Sequence, residues 1–198
     1  MAKMGGFSVA GMKKLQQQLN KIQQGDAEAF IDACAKELAA RLLAKVIKRT
    51  PVGDYSKEIE VVAKRDSKHH KKGDTYTKKV NPSGKKGGTL RRGWTSKTHE
   101  EAESGGKANA KAYADSLTIH HDGNMVAIEI VNPVEYASYV EYGHRQTPGR
   151  YVPAIGKQLK QGWVQGQFML TISVQKIQNL APKVLESKIK KFLRECLK

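Results

Sequence analysis

The six histidines are the residues of this chain best suited to bind a transition metal, but their spacing does not favour a metal site. No pair has the His-Glu-x-x-His pattern that places two ligands on one face of a helix. His120 and His121 are neighbours in a predicted strand, so their side chains point to opposite faces of a sheet. His121-Asp122 could still meet Glu129 across a hairpin. On this spacing we expect neither a metal nor a cofactor.

Nucleophilic chemistry has equally little support in the sequence. Cys34 and Cys196 fall on the apolar faces of predicted helices and not in a turn that forms a cleft. Two cysteines are too few for a disulfide framework, so we expect buried free thiols in a reducing compartment. Gly87-Gly88 and Gly105-Gly106 do not precede a helix in the order that a phosphate-binding loop requires. The sequence therefore predicts no enzyme.

One segment in the middle of the chain concentrates positive charge. Between Lys64 and Gly88, nine basic residues oppose only Asp66 and Asp74. We find no apolar periodicity there, which predicts a mobile basic loop. Such a loop is either a solvated stretch without a specific role or a surface that contacts phosphates. The candidate DNA contacts are Lys64, Arg65, Lys68, Lys71, Lys72, Lys78, Lys79, Lys85 and Lys86.

The whole chain is basic, with 35 Lys plus Arg against 19 Asp plus Glu and a net charge of +16. This excess implies an acidic partner, which is a nucleic acid, an anionic membrane or an acidic protein surface. The sequence contains no zinc-finger spacing, no ribonucleoprotein aromatic motif and no helix-turn-helix pattern. Any nucleic-acid binding is therefore expected to be to phosphates, salt-sensitive and independent of sequence.

No apolar run approaches the length of a membrane span, and Met1–Phe7 lacks the apolar core of a secretory signal. We therefore expect a protein that is made and assembled in a cytoplasm.

Helices at both ends of the chain are indicated by apolar residues spaced three and four apart. They cover Val9–Gln23 and Ala27–Arg49, with an exposed Glu37–Arg41 pair supporting the second. Near the C-terminus, a helix is predicted to run from Ile172 to about Leu180, and Pro182 suits the start of another, which ends at Leu197. The last helix carries an apolar stripe that must be buried on the same protomer or on a neighbour, which makes its members candidate assembly residues: Leu185, Ile189, Phe192 and Leu193.

Strands are predicted over Leu90–Thr98, Tyr113–His121 and Met125–Val131, and a loop over His99–Lys111. Asp122-Gly123 is a hairpin signal between the last two strands. The fold class is α+β, with a small antiparallel sheet packed by a long N-terminal helix, a C-terminal helical extension and a long basic loop. The length predicts one domain over residues 1–198, with a core of about 8–155, a basic insertion at 55–88 and the helical extension at 156–198.

The stretch Asn132–Tyr151 follows the last strand and contains a short predicted helix. Pro133 suits its start and Gly143 its end. Tyr136 and Tyr139 are expected to anchor this helix against the sheet, while Glu135 and Glu141 point elsewhere. The residues Asn132 to Gly143 have the pattern Asn-Pro-x-Glu-Tyr-Ala-x-Tyr-Val-Glu-x-Gly, and Val-Pro-Ala follows at 152–154.

That pattern resembles the second half of a bacteriophage neck and tail-component family, small proteins of long-tailed phages described as tail-completion or head–tail joining components. The first half of the family pattern is a long helix, then Thr-Pro-Val, then Leu-Arg. Here an insertion of about residues 55–86 separates Thr50-Pro51-Val52 from Leu90-Arg91. The resemblance covers 27–51, 90–94 and 125–154. The matching positions, which it implies are structural, are Thr50, Pro51, Leu90, Arg91, Asn132, Glu135, Tyr136, Ala137, Val140, Glu141, Gly143 and Pro153.

The resemblance implies a structural virion protein of the neck and not an enzyme. A homo-oligomeric ring is expected, a hexamer from the symmetry of the tail, which joins head to tail and lets DNA pass. The implied partners are other copies of the chain, neighbouring neck, portal-side and tail proteins, and genomic DNA in the channel, without a membrane. Phe168-Met169-Leu170-Thr171 before a basic helix is similar to a subgroup from contractile-tailed prophages.

Two other classes of function remain open at the level of the sequence. The first is a sequence-independent nucleic-acid-binding protein that is not part of a virion. The second is a metal-dependent nuclease that uses His121 and Asp122.

Overall fold

The computed structural model describes residues 24–82, 84, 87–123, 125–153 and 157–196, so the predicted helix Val9–Gln23 lies outside the described part. Within these ranges the chain forms six helices and eight strands. In chain order they are α1 Gln24–Arg49, β1 Lys57–Val62, β2 Thr75–Val80, α2 Thr89–Gly93, α3 His99–Glu103, α4 Ala110–Ser116, β3 Ile119–Asp122, β4 Met125–Ile128, α5 Ala137–Tyr142, β5 Gly143–Arg145, β6 Tyr151–Val152, β7 Lys157–Gln158, β8 Trp163–Gln165 and α6 Met169–Cys196.

Helix α1 is the central helix, and it confirms the prediction over Ala27–Arg49. Leu43 and Val46 are completely buried on the face that α4, β4 and α6 cover. The opposite face is charged, and there Arg41 Nε donates to Glu37 Oε1 at 2.8 Å, as the i,i+4 spacing predicts. Asp26 in the first turn and Arg49 in the last turn complement the helix dipole.

Helix α6 packs antiparallel along α1. The rings of Phe30 and Phe192 stack with centroids 4.5 Å apart at one end, and Lys188 Nζ lies 3.6 Å from Glu37 Oε2 further along. The prediction of two C-terminal helices was wrong, since α6 is continuous through Pro182. A proline in a helix interior removes one hydrogen bond and is unfavourable by about 3 kcal/mol. Packing along α1 offsets that loss.

The predicted α+β class is confirmed, with the strands arranged as four two-stranded antiparallel sheets. The pairs are β1–β2, β3–β4, β5–β8 and β6–β7. The hairpin predicted at Asp122-Gly123 is present as β3–β4. Strand β4 ends at Ile128, but the predicted alternation continues, with Val126, Ile128 and Ile130 less exposed than the residues between them.

The prediction of a strand over Leu90–Thr98 was wrong, since this stretch begins within helix α2. Leu90, Gly93 and Trp94 are buried, and their spacing of three and four is that of a helical face. Alternation would have placed Leu90 and Trp94 on one face of a strand, but it would have left Gly93 on the other. Burial of all three on one side requires the helix.

Two further predictions between residues 98 and 121 were wrong in part. The predicted loop contains helix α3, whose N-terminus is capped by Thr98 Oγ1 accepting from Glu101 N at 3.2 Å. The strand predicted from Tyr113 is instead helix α4 as far as Ser116, capped by Asn109 Oδ1 accepting from Ala112 N at 3.1 Å. Helix α4 buries Ala114 against α1.

The remaining corrections concern the insertion and the start of the C-terminal region. The predicted basic loop is a hairpin, in which β1 and β2 pair over six residues each. The helical region begins at Met169 and not at 156, because β7 and β8 pair back onto β6 and β5. The buried core lies between α1, α2, α4 and the start of α6, and its members are Ala39, Leu43, Val46, Leu90, Trp94, Ala102, Ala114, Val134 and Met169.

Candidate interaction surfaces

The basic insertion forms a projecting arm, residues 57–80, with a stem made of β1 and β2 and a tip at 63–74. Ala63 N donates to Asp74 O and Gly73 N donates to Ala63 O, both at 2.9 Å, so the tip is closed at its base. Within the tip, Ser67 N donates to His70 O at 2.8 Å. The tip therefore has a defined backbone conformation, which explains why the expectation of an irregular loop was wrong.

Both acidic residues of the tip hold its backbone. Asp66 Oδ1 accepts from Lys72 N and Asp74 Oδ2 accepts from Lys71 N, each at 2.7 Å. The ring of His70 stacks on Tyr76 at 4.2 Å, which joins the tip to the stem. The carboxylates are thus used to shape the tip, while the basic side chains around them are exposed.

The candidate DNA contacts fall into three groups. Lys64, Arg65, Lys68, Lys71 and Lys72 are exposed on the tip. Lys78 and Lys79 lie on β2, where Lys79 Nζ is 3.7 Å from Glu58 Oε1. Lys85 and Lys86 lie outside the described residues. The hairpin therefore brings five of the nine cations together at one end of the arm.

The two faces of the stem differ in chemistry. From the strand register, one face carries Glu58, Glu60, Thr77 and Lys79. The other face, which we call the apolar stem face, carries Ile59, Val61, Tyr76 and Val80 together with two lysines, Lys57 opposite Val80 and Lys78 opposite Ile59. Ile59 is 45% exposed, and the strands of the stem pack extensively on each other but on no other described element. On this face Ile59 is thus left exposed, whereas Val61, Tyr76 and Val80 are half-buried.

Thr50 connects the two parts of the first half of the family pattern, which the insertion separates. It is completely buried, and its Oγ1 donates to Val46 O at 2.7 Å while accepting from Trp94 Nε1 at 2.8 Å. Its carbonyl oxygen accepts from Arg91 Nε at 3.1 Å and from Arg91 Nη2 at 2.7 Å. The end of α1 and helix α2 are therefore joined across the insertion.

Asn132 extends this network to the second half of the pattern. Its Nδ2 donates to Leu90 O at 2.9 Å, and its Oδ1 accepts from Val134 N at 3.2 Å. Gly93 permits this approach, because a Cβ there would lie 2.2 Å from Asn132 Oδ1. Residues that are far apart in sequence thus form one hydrogen-bonded centre.

Glu141 was expected to point away from the body of the protein, and this expectation was wrong. It is 5% exposed and caps the start of α6: Oε2 accepts from Leu170 N at 2.9 Å, and Oε1 accepts from Thr171 N at 2.9 Å and from Thr171 Oγ1 at 2.8 Å. A carboxylate at a helix N-terminus is stabilised by the unpaired N–H groups and the helix dipole.

The other positions of the family pattern lie around this hydrogen-bonded centre and the cap of α6. Ala137 and Val140 pack against the core, and Gly143 ends α5 with a φ of +85° that favours glycine. A Cβ on Gly143 would lie 2.4 Å from Val164 O, so strand β8 also requires glycine there. Pro51, Glu135 and Pro153 are exposed.

The tyrosines of α5 form an exposed aromatic surface. Tyr136, Tyr139 and Tyr142 are 42%, 58% and 62% exposed, so the expectation that Tyr136 and Tyr139 anchor the helix was wrong. Val134, which is 2% exposed, performs that role. Partial burial raises the pKa of Tyr136, with smaller effects from neighbouring Tyr55 and Glu103, which places Glu103 of α3 beside the aromatic surface.

The candidate assembly residues of α6 are divided between the interior and the surface. Phe192 is covered by Phe30 of α1, and Leu185 is half-buried. Ile189 and Leu193 are 45% and 37% exposed. The described chain thus buries only part of the predicted stripe.

The histidines and cysteines form no obvious reactive site. In the parts of the chain that the structure describes, no group of three or more histidine, cysteine, aspartate or glutamate residues is placed to hold a metal. His121 Nε2 lies 3.1 Å from Asp32 Oδ1, which ties β3 to α1. Both cysteines are free, and burial raises the pKa of the Cys34 thiol and keeps it unreactive. No helix within the described ranges is long and apolar enough to cross a membrane.

Sequence reasoning missed Trp94, Val134 and the capping role of Glu141. The spacing of Leu90, Gly93 and Trp94 was an available signal for a buried helical face. No local signal could show that Glu141 caps a helix 28 residues further along the chain.

The hydrogen-bonded centre and the capped C-terminal helix define an α+β scaffold that displays a basic arm and an aromatic surface. Residues 13–143 match the model of a family described as "Bacteriophage HK97-gp10, putative tail-component". Since the match spans about two thirds of the chain, this protein belongs to that family of phage tail components. The family is structural, which implies a role without catalysis. The match ends at Gly143, before β8 and α6.

Comparisons with curated proteins and with solved structures gave no match.

Proposed function

We propose that this tail component is a structural protein of the phage neck, which forms a homo-oligomeric ring, a hexamer, between head and tail. The observation that carries the proposal is the family match over residues 13–143. In this proposal, residues 1–198 act as one domain, and neighbouring neck, portal-side and tail proteins bind above and below the ring. The phage is of the contractile-tailed kind, for which Phe168-Met169-Leu170-Thr171 is the supporting resemblance.

The arm supports the part of the proposal that concerns DNA. Its tip carries five basic and two acidic residues, a net charge of +3 per copy. Duplex DNA presents a phosphate about every 1.7 Å along its axis, and lysines near it gain free energy by releasing condensed counterions. A ring of such tips turned outward would repel itself without an acidic neighbour. We therefore place the tips in the channel, where they touch passing DNA without reading its sequence.

Deleting the gene and examining the particles tests the neck assignment. We expect filled heads and separate tails by electron microscopy of the lysate, and joined particles when the wild-type chain is supplied in trans. Joined, infectious particles without the chain would refute the assignment.

A charge-matched pair of variants tests the DNA contact. The tip variant replaces Lys64, Lys68, Lys71 and Lys72 by glutamine, and the control replaces four exposed lysines elsewhere, Lys48, Lys107, Lys160 and Lys183. The tip variant should bind short duplexes more weakly, and the slope of log affinity against log salt should be shallower by about 0.9 for each phosphate that is no longer neutralised. Equally weakened binding in both variants would show that only total charge matters.

The exposed tip also supports a second candidate function, a sequence-independent nucleic-acid-binding protein outside the virion. The two candidate functions differ in the oligomeric state that binds DNA. A free binding protein should bind a short duplex tightly as a monomer, whereas the neck protein should need the ring, in which the tips converge. Measuring duplex affinity below and above the concentration for self-association distinguishes them.

A further inference from the structure

We propose that the apolar stem face of the arm docks on the surface formed by α3 and α5 of a second copy of this chain. The inference deepens the proposed ring and rests on it, because it names the contact that joins successive protomers. It concerns the stem only and leaves the basic tip free.

The stem needs a partner for a physical reason. A two-stranded sheet alone in water is marginally stable, and the stem packs extensively on no other described element. Its apolar face holds Ile59, Val61, Tyr76 and Val80, while the opposite face carries the Glu58–Lys79 ion pair and a single apolar residue, Val62, which is 55% exposed. The apolar stem face therefore holds most of the apolar residues of the stem.

The receiving surface has the residue types that dominate protein interfaces. Tyr136, Tyr139 and Tyr142 expose their rings along one side of α5, and tyrosine is enriched at the centres of such contacts. The same surface adjoins a cleft of about 310 Å³ that Val52, Tyr55 and Tyr136 help to line. An apolar strand face can bury these rings from solvent.

Charge complementarity selects a second copy as the occupant. Lys57 and Lys78 lie on the apolar stem face, opposite Val80 and Ile59 in the register, and form no ion pair within the described ranges. Glu103 and Glu135 are exposed beside the aromatic surface, with Glu103 Oε1 3.3 Å from His99 Nε2, in a chain whose net charge is +16. Two positive charges on one surface thus face two negative charges on the other.

The two surfaces are different patches of the same chain, so the contact is heterologous. Such a head-to-tail contact generates a closed ring when the rotation between copies closes. A contact between these two different surfaces is therefore consistent with the closed ring that is expected in the neck.

A charge exchange tests this contact in the purified full-length protein without DNA. One variant combines Lys57→Glu and Lys78→Glu, a second combines Glu103→Lys and Glu135→Lys, and a third carries all four changes. In sedimentation experiments each double variant should self-associate about tenfold more weakly than wild type, because like charges oppose each other. The fourfold variant should recover most of the affinity, which also shows that the arm is folded.

The outcomes separate this inference from the proposed function. A wild-type ring that no charge variant disturbs, or a fourfold variant that does not recover, overturns the arm contact but not the ring. A wild-type chain that stays monomeric at all concentrations, with or without neighbouring neck proteins, overturns both.

Disulfide trapping gives a second, geometric test. In a Cys196→Ser background, a chain with Ile59→Cys is mixed with a chain with Tyr139→Cys under mild oxidation. We expect a cross-linked dimer in the mixture and little in either chain alone. A cross-link formed equally well by the Ile59→Cys chain alone indicates an arm-to-arm contact and overturns the proposal, as does the absence of any cross-link in the mixture.

Discussion

Glu141 is the residue on which the connection between α5 and α6 depends most. Its carboxylate accepts three hydrogen bonds from two consecutive residues at the start of a 28-residue helix. Hydrogen bonds to a charged, buried acceptor are worth more than neutral ones, and the donors that remain after its removal have no partner.

Replacing Glu141 by glutamine should therefore lower the free energy of unfolding by about 1–3 kcal/mol, because the amide lacks the charge and one acceptor oxygen. Urea unfolding followed by circular dichroism measures the change. Glu135→Gln is the matched control, since Glu135 is exposed. If both variants unfold at the same urea concentration, Glu141 does not stabilise the helix.

Val134 and Tyr136 allow a second comparison at this scale. Val134 is 2% exposed in the core, whereas Tyr136 is 42% exposed. Val134→Ala should lower the free energy of unfolding by about 1–2 kcal/mol, because it removes buried methyl groups and leaves a cavity behind.

Tyr136→Ala should leave the melting temperature within a few degrees of wild type, although it removes many more atoms. Differential scanning fluorimetry of both variants makes the comparison. A larger destabilisation by Tyr136→Ala than by Val134→Ala would mean that the tyrosine is the anchor after all.

At the scale of secondary-structure elements, the main feature is the packing of the two longest helices, α6 against α1. The Phe30–Phe192 stack lies near the start of α1 and near the end of α6. Phe192→Ala should lower the free energy of unfolding by about 1–3 kcal/mol, because it removes buried apolar area and the ring stacking.

Leu193→Ala is the control for that change, since its neighbour Leu193 is 37% exposed. It should be less destabilising, and it should weaken assembly only if α6 also packs on a neighbour. Urea unfolding of both variants, with sedimentation to follow assembly, checks this. Equal destabilisation would indicate that the end of α6 does not pack on α1.

The sequence predicted the elements with long apolar periodicity and failed where short elements depend on distant contacts. Helix α1 was predicted because its apolar stripe, from Phe30 to Val46, runs for more than four turns. Helices α2, α3 and α4 have five to seven residues, and their burial depends on other elements, since α2 and α4 pack on α1 and α3 packs on α2. The Thr98-x-x-Glu101 cap was nevertheless a readable signal for α3.

The arm shows a different limitation of sequence reasoning. Ile59 and Val61 in β1, and Tyr76 and Val80 in β2, lie on one face of the hairpin with polar residues between them. The nine positive charges in the segment nevertheless led to the prediction of disorder. The carboxylates that fold the tip, Asp66 and Asp74, were counted only as charges. A count of net charge takes no account of the hydrogen bonds that a few acidic residues can make in a basic segment.

At the scale of the whole molecule, two exposed surfaces carry the proposals. The arm presents a basic tip and an apolar stem, and the aromatic surface of α5 lies on the body beside the base of the arm. A ring of such protomers would join its neighbours through the stems and meet DNA with the tips.

A reconstruction of the neck of the intact virion by cryo-electron microscopy tests the central claim most directly. The account predicts a six-fold ring of this chain between portal and tail, with each stem against the α5 tyrosines of the next copy and each tip turned toward the DNA. A neck without this chain, or a ring whose tips lie on the outer surface away from DNA, would contradict it.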